Sequence, residues 1–99
     1  MFKVGITVLK KLMTGDVVKR YWKEGEKECP MFKVGDKFTV ENLNMPEGFC
    51  SWAWADIQRD VAALALGGNA PWIKDEGVMI SCCTDGLRPV VFKLERVKE

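Results

Sequence analysis

The sequence predicts one α+β domain, in which about four mostly antiparallel strands form a sheet and one main helix packs on it. Three observations support this fold: an alternating segment at the N-terminus, a segment with helical spacing near the middle, and two apolar segments around an Asp-Gly turn. A chain of 99 residues is long enough for one core, so we expect a single domain over residues 1–99. The expected strands are residues 2–10, 37–41, 78–84 and 89–97, and the expected helix is residues 51–66. Short strands and a Gly-Asp turn also fit a small pseudo-barrel, which is a variant of the same inventory.

The first two strands are predicted from the alternation of apolar and polar residues. Over residues 2–10, one face carries only apolar side chains, namely Phe2, Val4, Ile6 and Val8. This period of two is typical of a half-buried strand. Residues 16–22 fit a short helix better than a strand, and a turn at Gly35-Asp36 leads into the alternating segment 37–41.

The main helix is predicted from apolar residues that recur at helical spacing, namely Trp54, Ile57, Val61 and Leu64. Ser51 is the expected N-cap, and serine at this position stabilises a helix by about 1 kcal/mol relative to alanine. Gly67 follows the last turn, where glycine adopts the left-handed conformation that ends many helices.

The last two strands are predicted to form a hairpin around Asp85-Gly86, a dipeptide typical of two-residue turns. The first arm, which begins at Val78, is apolar on both faces, so we expect it to be a central strand. A tight turn would place Cys83 opposite Arg88, with their Cβ atoms roughly 4.5–5.5 Å apart.

Charge and composition exclude several classes of function. Fifteen basic and 14 acidic residues give a net charge of +1, whereas nucleic-acid binding through phosphates needs a basic excess. Attachment to a membrane through a polybasic segment also needs an excess of basic residues. We therefore expect no nucleic-acid partner and no membrane partner. The chain has no histidine, which excludes Ser-His-Asp and Cys-His catalysis and every histidine metal site.

The four cysteines, Cys29, Cys50, Cys82 and Cys83, are the best remaining nucleophiles. The N-terminus lacks the charged start, the apolar core and the cleavage site of a signal peptide. Cysteine is also less frequent than in small domains held together by disulfides. We therefore expect a cytoplasmic protein with mostly reduced thiols.

Cys83 is the expected activated thiol of a catalytic or redox site. A guanidinium beside a thiol favours the thiolate, and Arg88 would lie beside Cys83 in the predicted hairpin. Asp85 is close enough in sequence to compete for Arg88. Cys82 would point to the opposite face of the strand and, like Cys50, is a candidate second thiol. Alternatively, Cys82 and Cys83 are small buried core residues, as free cysteines often are.

An aromatic-walled pocket is expected near the start of the helix. Cys50 precedes the helix, whose N-terminal dipole favours a thiolate. Trp52 and Trp72 would form its walls with Phe49, although tryptophans also serve as core and loop anchors. Helix N–H groups and an arginine would suit an anionic ligand. Asp56 shares a helix face with Asp60, and such a pair can bind a ligand or Mg²⁺ or act as acid and base. The alternatives are a solvated helix face, or a hydrogen bond from Asp56 to a loop.

A four-cysteine metal site has little support from the spacing. Zinc and iron–sulfur sites usually take thiolates in two close pairs. Here the cysteines follow one another at intervals of 21, 32 and 1 residues, with no Cys-x-x-Cys pair. We expect no metal ligands and no cofactor.

Two blocks of the sequence resemble the signature blocks of a family of uncharacterised small prokaryotic proteins. The first is residues 46–57, which contain Ser-Trp-Ala-Trp-Ala-Asp, and the second is residues 82–90, Cys-Cys-Thr-Asp-Gly-Leu-Arg-Pro-Val. The resemblance covers nearly the whole chain and implies a standalone prokaryotic protein. It implies a signature that includes Cys50, Asp56 and residues 82–88. The family has no established activity, so no substrate or mechanism is implied.

The leading hypothesis is a thiol-centred ligand-binding or redox site at the hairpin of residues 82–88. The alternative is a non-enzymatic binding or accessory module whose aromatic surface meets a partner protein or a second copy, with buried structural cysteines. The further alternative is a cysteine-ligated metal protein. The sequence names neither a small-molecule nor a protein partner, and it leaves open whether the chain is an enzyme or a homo-oligomer.

Overall fold

The computed structural model describes residues 1–23 and 27–97, and residues 24–26 and 98–99 of the predicted domain lie outside them. The elements in chain order are β1 (Val4–Lys11), α1 (Asp16–Tyr21), β2 (Lys37–Val40), α2 (Ser51–Ala65), β3 (Val78–Cys82) and β4 (Val90–Arg96). The α+β prediction is confirmed, because four antiparallel strands form one sheet and the long helix α2 packs on it. The ends of these elements differ from the predicted ends by at most two residues.

The strands are ordered β2-β1-β4-β3, so that β1 and β4 are central. In the described chain β2 and β3 do not pair, and the sheet is open rather than a pseudo-barrel. The predicted central position of β3 is wrong, because β3 is an edge strand. Its Ile80 lies opposite Lys93 on the face away from the core and is 49% exposed. Apolar residues on both faces of this strand therefore do not reflect burial on both faces.

Residues 84–89 connect β3 to β4, and we call them the 84–89 loop. The predicted two-residue turn is wrong, because the N–H of Cys83 donates a hydrogen bond of 3.1 Å to the carbonyl oxygen of Val90. Cys83 therefore faces Val90 and not Arg88 across the hairpin.

The side chain of Asp85 gives the physical reason for the longer connection. Its Oδ1 accepts hydrogen bonds from the N–H groups of Leu87, at 2.9 Å, and Arg88, at 3.2 Å. An aspartate that bonds the backbone two and three residues ahead forms its own turn, which replaces the tighter hairpin turn.

One hydrophobic core lies between α2 and one face of the sheet. Strands β1, β2 and β4 contribute Val4, Ile6, Val8, Val40, Val90, Phe92 and Leu94. The helix contributes Ala53, Ile57, Val61, Leu64 and Ala65, and the loops contribute Phe32 and Phe49. Trp54, predicted to share the helical stripe, packs against this core but is only partly buried.

The two ends of α2 are built differently. Its N-cap is Cys50 and not the predicted Ser51, and no side chain caps it with a hydrogen bond. At the other end, Arg96 on β4 donates from Nη1 to the carbonyl oxygens of Leu64, at 2.9 Å, and Gly68, at 2.8 Å. In the described ranges, no helix is long and apolar enough to cross a membrane.

Candidate functional site: a cysteine-lined cleft

A cleft of about 550 Å³ opens beside the start of α2. It is enclosed by the loop before β2, by the first turns of α2, and by the end of β3 with the 84–89 loop. We call it the cysteine cleft, because three of the four cysteines line it. Its lining residues are Cys29, Met31, Phe32, Cys50, Ser51, Trp52, Ala53, Ala55, Asp56, Cys83, Thr84, Asp85 and Arg88.

The cysteine cleft brings together most of the residues that the sequence singled out as a site. Six of the eight line it, namely Cys50, Trp52, Asp56, Cys83, Asp85 and Arg88. Cys82 does not line it, because strand alternation directs its side chain to the opposite face of the sheet, where it is exposed. Trp72 does not line it either and is 77% exposed, contrary to the expected pocket wall. Phe49, expected in the same wall, is instead buried in the core.

Cys83 is held at the end of β3 by hydrogen bonds to β4. Besides the bond from its own N–H, its Sγ accepts a hydrogen bond from the N–H of Val90 over 3.2 Å. This second bond orients the sulfur. Cys50 lies at the first turn of α2, where its carbonyl oxygen accepts the N–H of Trp54 at 2.9 Å. Both side chains are partly buried and pack against the core.

Cys29 is the third thiol of the cleft, and sequence reasoning did not single it out as a site residue. The Nζ of Lys11 on β1 donates to the carbonyl oxygens of Cys29, at 3.2 Å, and Phe32, at 2.9 Å. Lys11 thereby anchors the loop before β2 against the sheet and fixes Cys29 at the cleft. No local signal in the sequence reveals this contact, because Lys11 and Cys29 are 18 residues apart.

All four cysteines are free thiols. In residues 1–23 and 27–97, no three Cys, His, Asp or Glu side chains are grouped so that they could hold a metal ion. The geometry therefore gives the metal alternative no support. It places three thiols in the lining of one cleft.

Arg88 contacts Asp85 and Trp22, whereas the predicted hairpin placed it beside Cys83. Its Nε lies 3.4 Å from Oδ2 of Asp85, and its guanidinium carbon lies 4.9 Å from the ring centre of Trp22. The predicted pairing of Arg88 with Cys83 across the hairpin is therefore wrong. Asp85 is the competitor that sequence proximity indicated. Trp22 is a partner that no sequence signal identified.

Asp85 is the charged group that organises the 84–89 loop. Burial by itself would raise the pKa of its carboxyl group, but hydrogen bonds from the N–H groups of Leu87 and Arg88 oppose that effect. A hydrogen bond from the Arg88 side chain and the charge of its guanidinium act in the same direction, so the pKa of Asp85 lies below its usual value. The carboxylate is thus committed to the loop and to Arg88.

Asp56 ties the helix to the same loop. Its Oδ2 accepts the N–H of Thr84 at 2.8 Å, and its Oδ1 accepts the Thr84 hydroxyl at 2.9 Å. Of the roles that the sequence allows for this residue, the structure shows the hydrogen bond to a loop. Both carboxylates at the cleft therefore already have partners within the chain.

A third attachment of the 84–89 loop comes from the segment between β1 and α1. The Oγ1 of Thr14 donates a hydrogen bond of 2.7 Å to the carbonyl oxygen of Gly86, and the N–H of Thr14 donates one of 3.0 Å to that of Leu87. Contacts from α2, from Thr14 and from Trp22 thus hold this wall of the cleft in place. Thr14 lies 72 residues from Gly86, and sequence reasoning missed it.

Aromatic and apolar side chains form the floor and the mouth of the cleft. Phe32 forms the floor and packs on Phe49 and Phe92 with ring centres 5.1 and 5.2 Å apart. Trp52 and Met31 lie at the mouth, where they are 83% and 56% exposed. Two large apolar side chains so exposed beside a concave site are typical of a binding surface.

No protein-family model, no curated protein and no solved structure matches this chain. The resemblance of its two sequence blocks to a family of small prokaryotic proteins therefore stays a prediction. Any functional assignment rests on the geometry of the cleft.

Proposed function

We propose that the protein is a small cytoplasmic protein that binds a small, largely apolar ligand in the cysteine cleft, with thiols as the groups that contact its reactive or soft part. The observation that carries this proposal is the convergence of Cys29, Cys50 and Cys83 on one cleft. They come from three separate segments of the chain. Thiols remain reduced in the cytoplasm.

The lining supports an apolar ligand. Phe32, Ala53 and Ala55 supply apolar surface, and Trp52 offers a large aromatic face at the mouth. Binding sites for small molecules are mostly apolar, with a few polar groups that fix orientation. Sulfur is polarizable and packs well against aromatic and aliphatic groups.

The charges at the cleft do not favour an anionic ligand. Arg88 is the basic residue of the lining, and Asp85 lies 3.4 Å from its Nε. A guanidinium whose charge is balanced by a neighbouring carboxylate attracts an anion less than a free one does. Recognition in this proposal therefore rests on shape, apolar contact and sulfur.

The same arrangement makes the thiols the best reactive groups of the site. The chain has no histidine, and the carboxylates of Asp56 and Asp85 are engaged by Thr84 and by the 84–89 loop. A thiol needs no separate base when a fraction of it is ionised. Cys83 is the central candidate, because a hydrogen bond orients its sulfur.

Alkylation of the native protein with iodoacetamide, followed by peptide mapping, tests the proposal. Cys82 is an internal control, because it is exposed and lies outside the cleft. We expect Cys29, Cys50 and Cys83 to be alkylated in the folded protein, with Cys82. If only Cys82 reacts until urea unfolds the chain, the three thiols are structural and the proposal fails.

A second candidate function is a non-enzymatic binding module. The exposure of Trp52 and Met31 at the mouth favours it, because such side chains often meet a partner protein. In this case the cysteines are structural, and Trp52→Ala weakens binding of the partner while all three cleft thiols stay unreactive. Native labelling of the cleft thiols favours the first candidate.

A further inference from the structure

The edge strand β3 has backbone groups that do not bond its neighbour β4. At one end of the strand, the carbonyl oxygen of Gly77 accepts the N–H of Arg96 at 2.7 Å; at the other, the N–H of Cys83 donates to Val90 at 3.1 Å. In an antiparallel ladder every second residue bonds the neighbouring strand. The N–H and C=O groups of Val78, Ile80 and Cys82 must therefore point away from β4.

The β3 edge has none of the features that usually prevent strands from pairing. Edge strands are normally protected by charge, proline, bulges or shortness. The β2 edge is four residues long and carries Lys37. In contrast, β3 reads Val-Met-Ile-Ser-Cys, with no charged residue and no proline over its five residues.

On the outer face of the sheet, β3 carries only uncharged side chains, at Val78, Ile80 and Cys82. Ile80 and Cys82 are exposed there, and Val91, the partner of Cys82 on β4, is half-buried. The rest of β4 on this face is charged, because Lys93 lies opposite Ile80 and Glu95 lies opposite Val78, and their side chains form an ion pair of 3.2 Å. The apolar side chains thus lie on the edge strand itself, and charges begin on the neighbouring strand.

We propose that β3 pairs with β3 of a second copy of the chain, antiparallel, about a two-fold axis at Ile80. In this register Ile80 faces its own copy, and Val78 faces Cys82 of the other copy. Each outward N–H then meets an outward C=O, which makes the edge self-complementary, as a two-fold interface requires. Two four-stranded sheets become one continuous eight-stranded sheet, and the two Ile80 side chains cover each other.

A second copy is the occupant that the charges favour. Pairing identical strands places no like charges opposite each other, because β3 carries none. The proposal is independent of the cysteine cleft. Cys83 lies on the core face with α2, whereas Ile80 and Cys82 lie on the opposite face. Failure of one proposal therefore leaves the other standing.

Sedimentation velocity of the full chain, from about 10 μM to about 1 mM under reducing conditions, measures the association, since an interface this small binds weakly. The variant Ile80→Lys places two like charges side by side at the axis. We expect it to raise the dissociation constant by about tenfold or more. The matched control is Thr39→Lys, which puts the same charge at an exposed position of the β2 edge and should leave association unchanged. Circular dichroism checks that both variants are folded.

The result can also overturn the proposal. A wild-type chain that stays monomeric over the whole range contradicts it, as does a dimer that survives Ile80→Lys or that is lost in Thr39→Lys alone. If both variants are monomeric, amide hydrogen exchange decides. The N–H of Ile80 must exchange more slowly in the concentrated wild-type protein than in the dilute one, and equal rates refute the pairing.

Disulfide trapping tests the register itself. In the Cys82→Ser background, Ile80→Cys places two thiols on the two-fold axis, where paired residues lie within the Cα range that a disulfide spans. Mild oxidation should then yield a covalent dimer joined through position 80. A cysteine at position 39 in the same background should stay monomeric. Equal cross-linking at both positions indicates random collision and overturns the register.

Discussion

The two ends of α2 show how one helix serves both stability and a candidate site. At the C-terminal end, Arg96 binds the carbonyl oxygens of Leu64 and Gly68, and its Nη2 lies 2.7 Å from Oδ1 of Asn69. At the N-terminal end, Cys50 is the cap residue, no side chain caps the helix, and its first turn holds no acidic residue. We call the C-terminal end of α2 the closed end, because Arg96 binds carbonyl oxygens there. We call the N-terminal end the open end, because it lines the cysteine cleft.

The two ends of α2 differ in whether their backbone groups stabilise the fold or remain available to a ligand. A cation at a helix C-terminus satisfies carbonyl oxygens and complements the helix dipole. The first N–H groups of any helix have no partner within the helix, and here they lie beside Cys50 and Trp52 in the cleft wall. Substitutions at the closed end should therefore change stability, and substitutions at the open end should change the cleft.

The largest expected effect is at the closed end. Arg96→Ala removes the hydrogen bonds to Leu64 in α2 and to Gly68 and Asn69 just after it, together with the contact of the guanidinium with Phe2. We expect the free energy of unfolding to fall by about 2–4 kcal/mol, because three hydrogen bonds from a charged donor are lost. Urea denaturation measures it. The control is Arg59→Ala on α2. The Arg59 side chain is 90% exposed, so this substitution should lower the free energy of unfolding by about 0.5 kcal/mol or less. Equal costs would refute the role of Arg96.

A smaller effect is expected where α2 binds the 84–89 loop. Asp56→Asn replaces one of the two oxygens that accept hydrogen bonds from Thr84. We expect a loss of about 1 kcal/mol in urea denaturation and faster alkylation of Cys83 as the wall loosens. Asp60→Asn, one turn further along the helix, is the matched control and should change neither quantity. An unchanged Cys83 rate in Asp56→Asn would show that this contact does not hold the wall.

The pH dependence of stability should reveal Asp85. Because its pKa in the folded state lies below the usual value, it stabilises the fold above about pH 4, and this stabilisation is lost as pH falls through the folded pKa. We expect Asp85→Asn to be less stable than the wild type at pH 7, with the difference shrinking in acid. Urea denaturation from about pH 7 to about pH 2.5 measures both chains. A difference that does not change with pH would contradict the role of the charge.

The smallest effect on stability is expected at the open end. Trp52→Ala removes a side chain that is 83% exposed, so the free energy of unfolding should change by about 0.5 kcal/mol or less. The same variant should lower the rate at which N-phenylmaleimide, an aromatic reagent, labels the cleft thiols. The reason is that the indole ring, which would bind the phenyl ring of the reagent at the mouth, is lost. Trp72→Ala, nearly as exposed but outside the cleft, is the control and should leave that rate unchanged.

Sequence patterns predicted the elements well but not the position of one strand. Alternation in β1 and helical spacing in α2 report directly which side chains face a core, since burial imposes those periods. β3 was misplaced because its apolar residues on the outer face are exposed at an edge. A single sequence contains the composition of a strand but not the neighbours that cover it.

The candidate site was predicted in part, for a similar reason. Cys50 and Cys83 were predicted because each lies at the end of an element or beside a turn signal, and Asp56 because it shares a helix face with Asp60. Cys29 was missed as a site residue because its position depends on Lys11, which is distant in sequence. A two-residue turn at Asp85-Gly86 would have placed Arg88 beside Cys83, but the connection is longer. Hydrogen bonds from the backbone to the Asp85 carboxylate form a longer loop, and the same carboxylate pairs with Arg88.

The most direct test of the cysteine cleft as a ligand site is to identify which cysteine reacts first with N-phenylmaleimide. The folded, reduced protein is treated with one equivalent of reagent, and the modified peptide is identified by mass spectrometry. The thiol adds to the double bond, forming a carbon–sulfur bond and passing its proton to the neighbouring carbon. We expect modification first at Cys83, Cys50 or Cys29, because the cleft binds the phenyl ring. Modification first at Cys82, the most exposed thiol, would show that exposure alone controls reactivity and would refute ligand binding in the cleft.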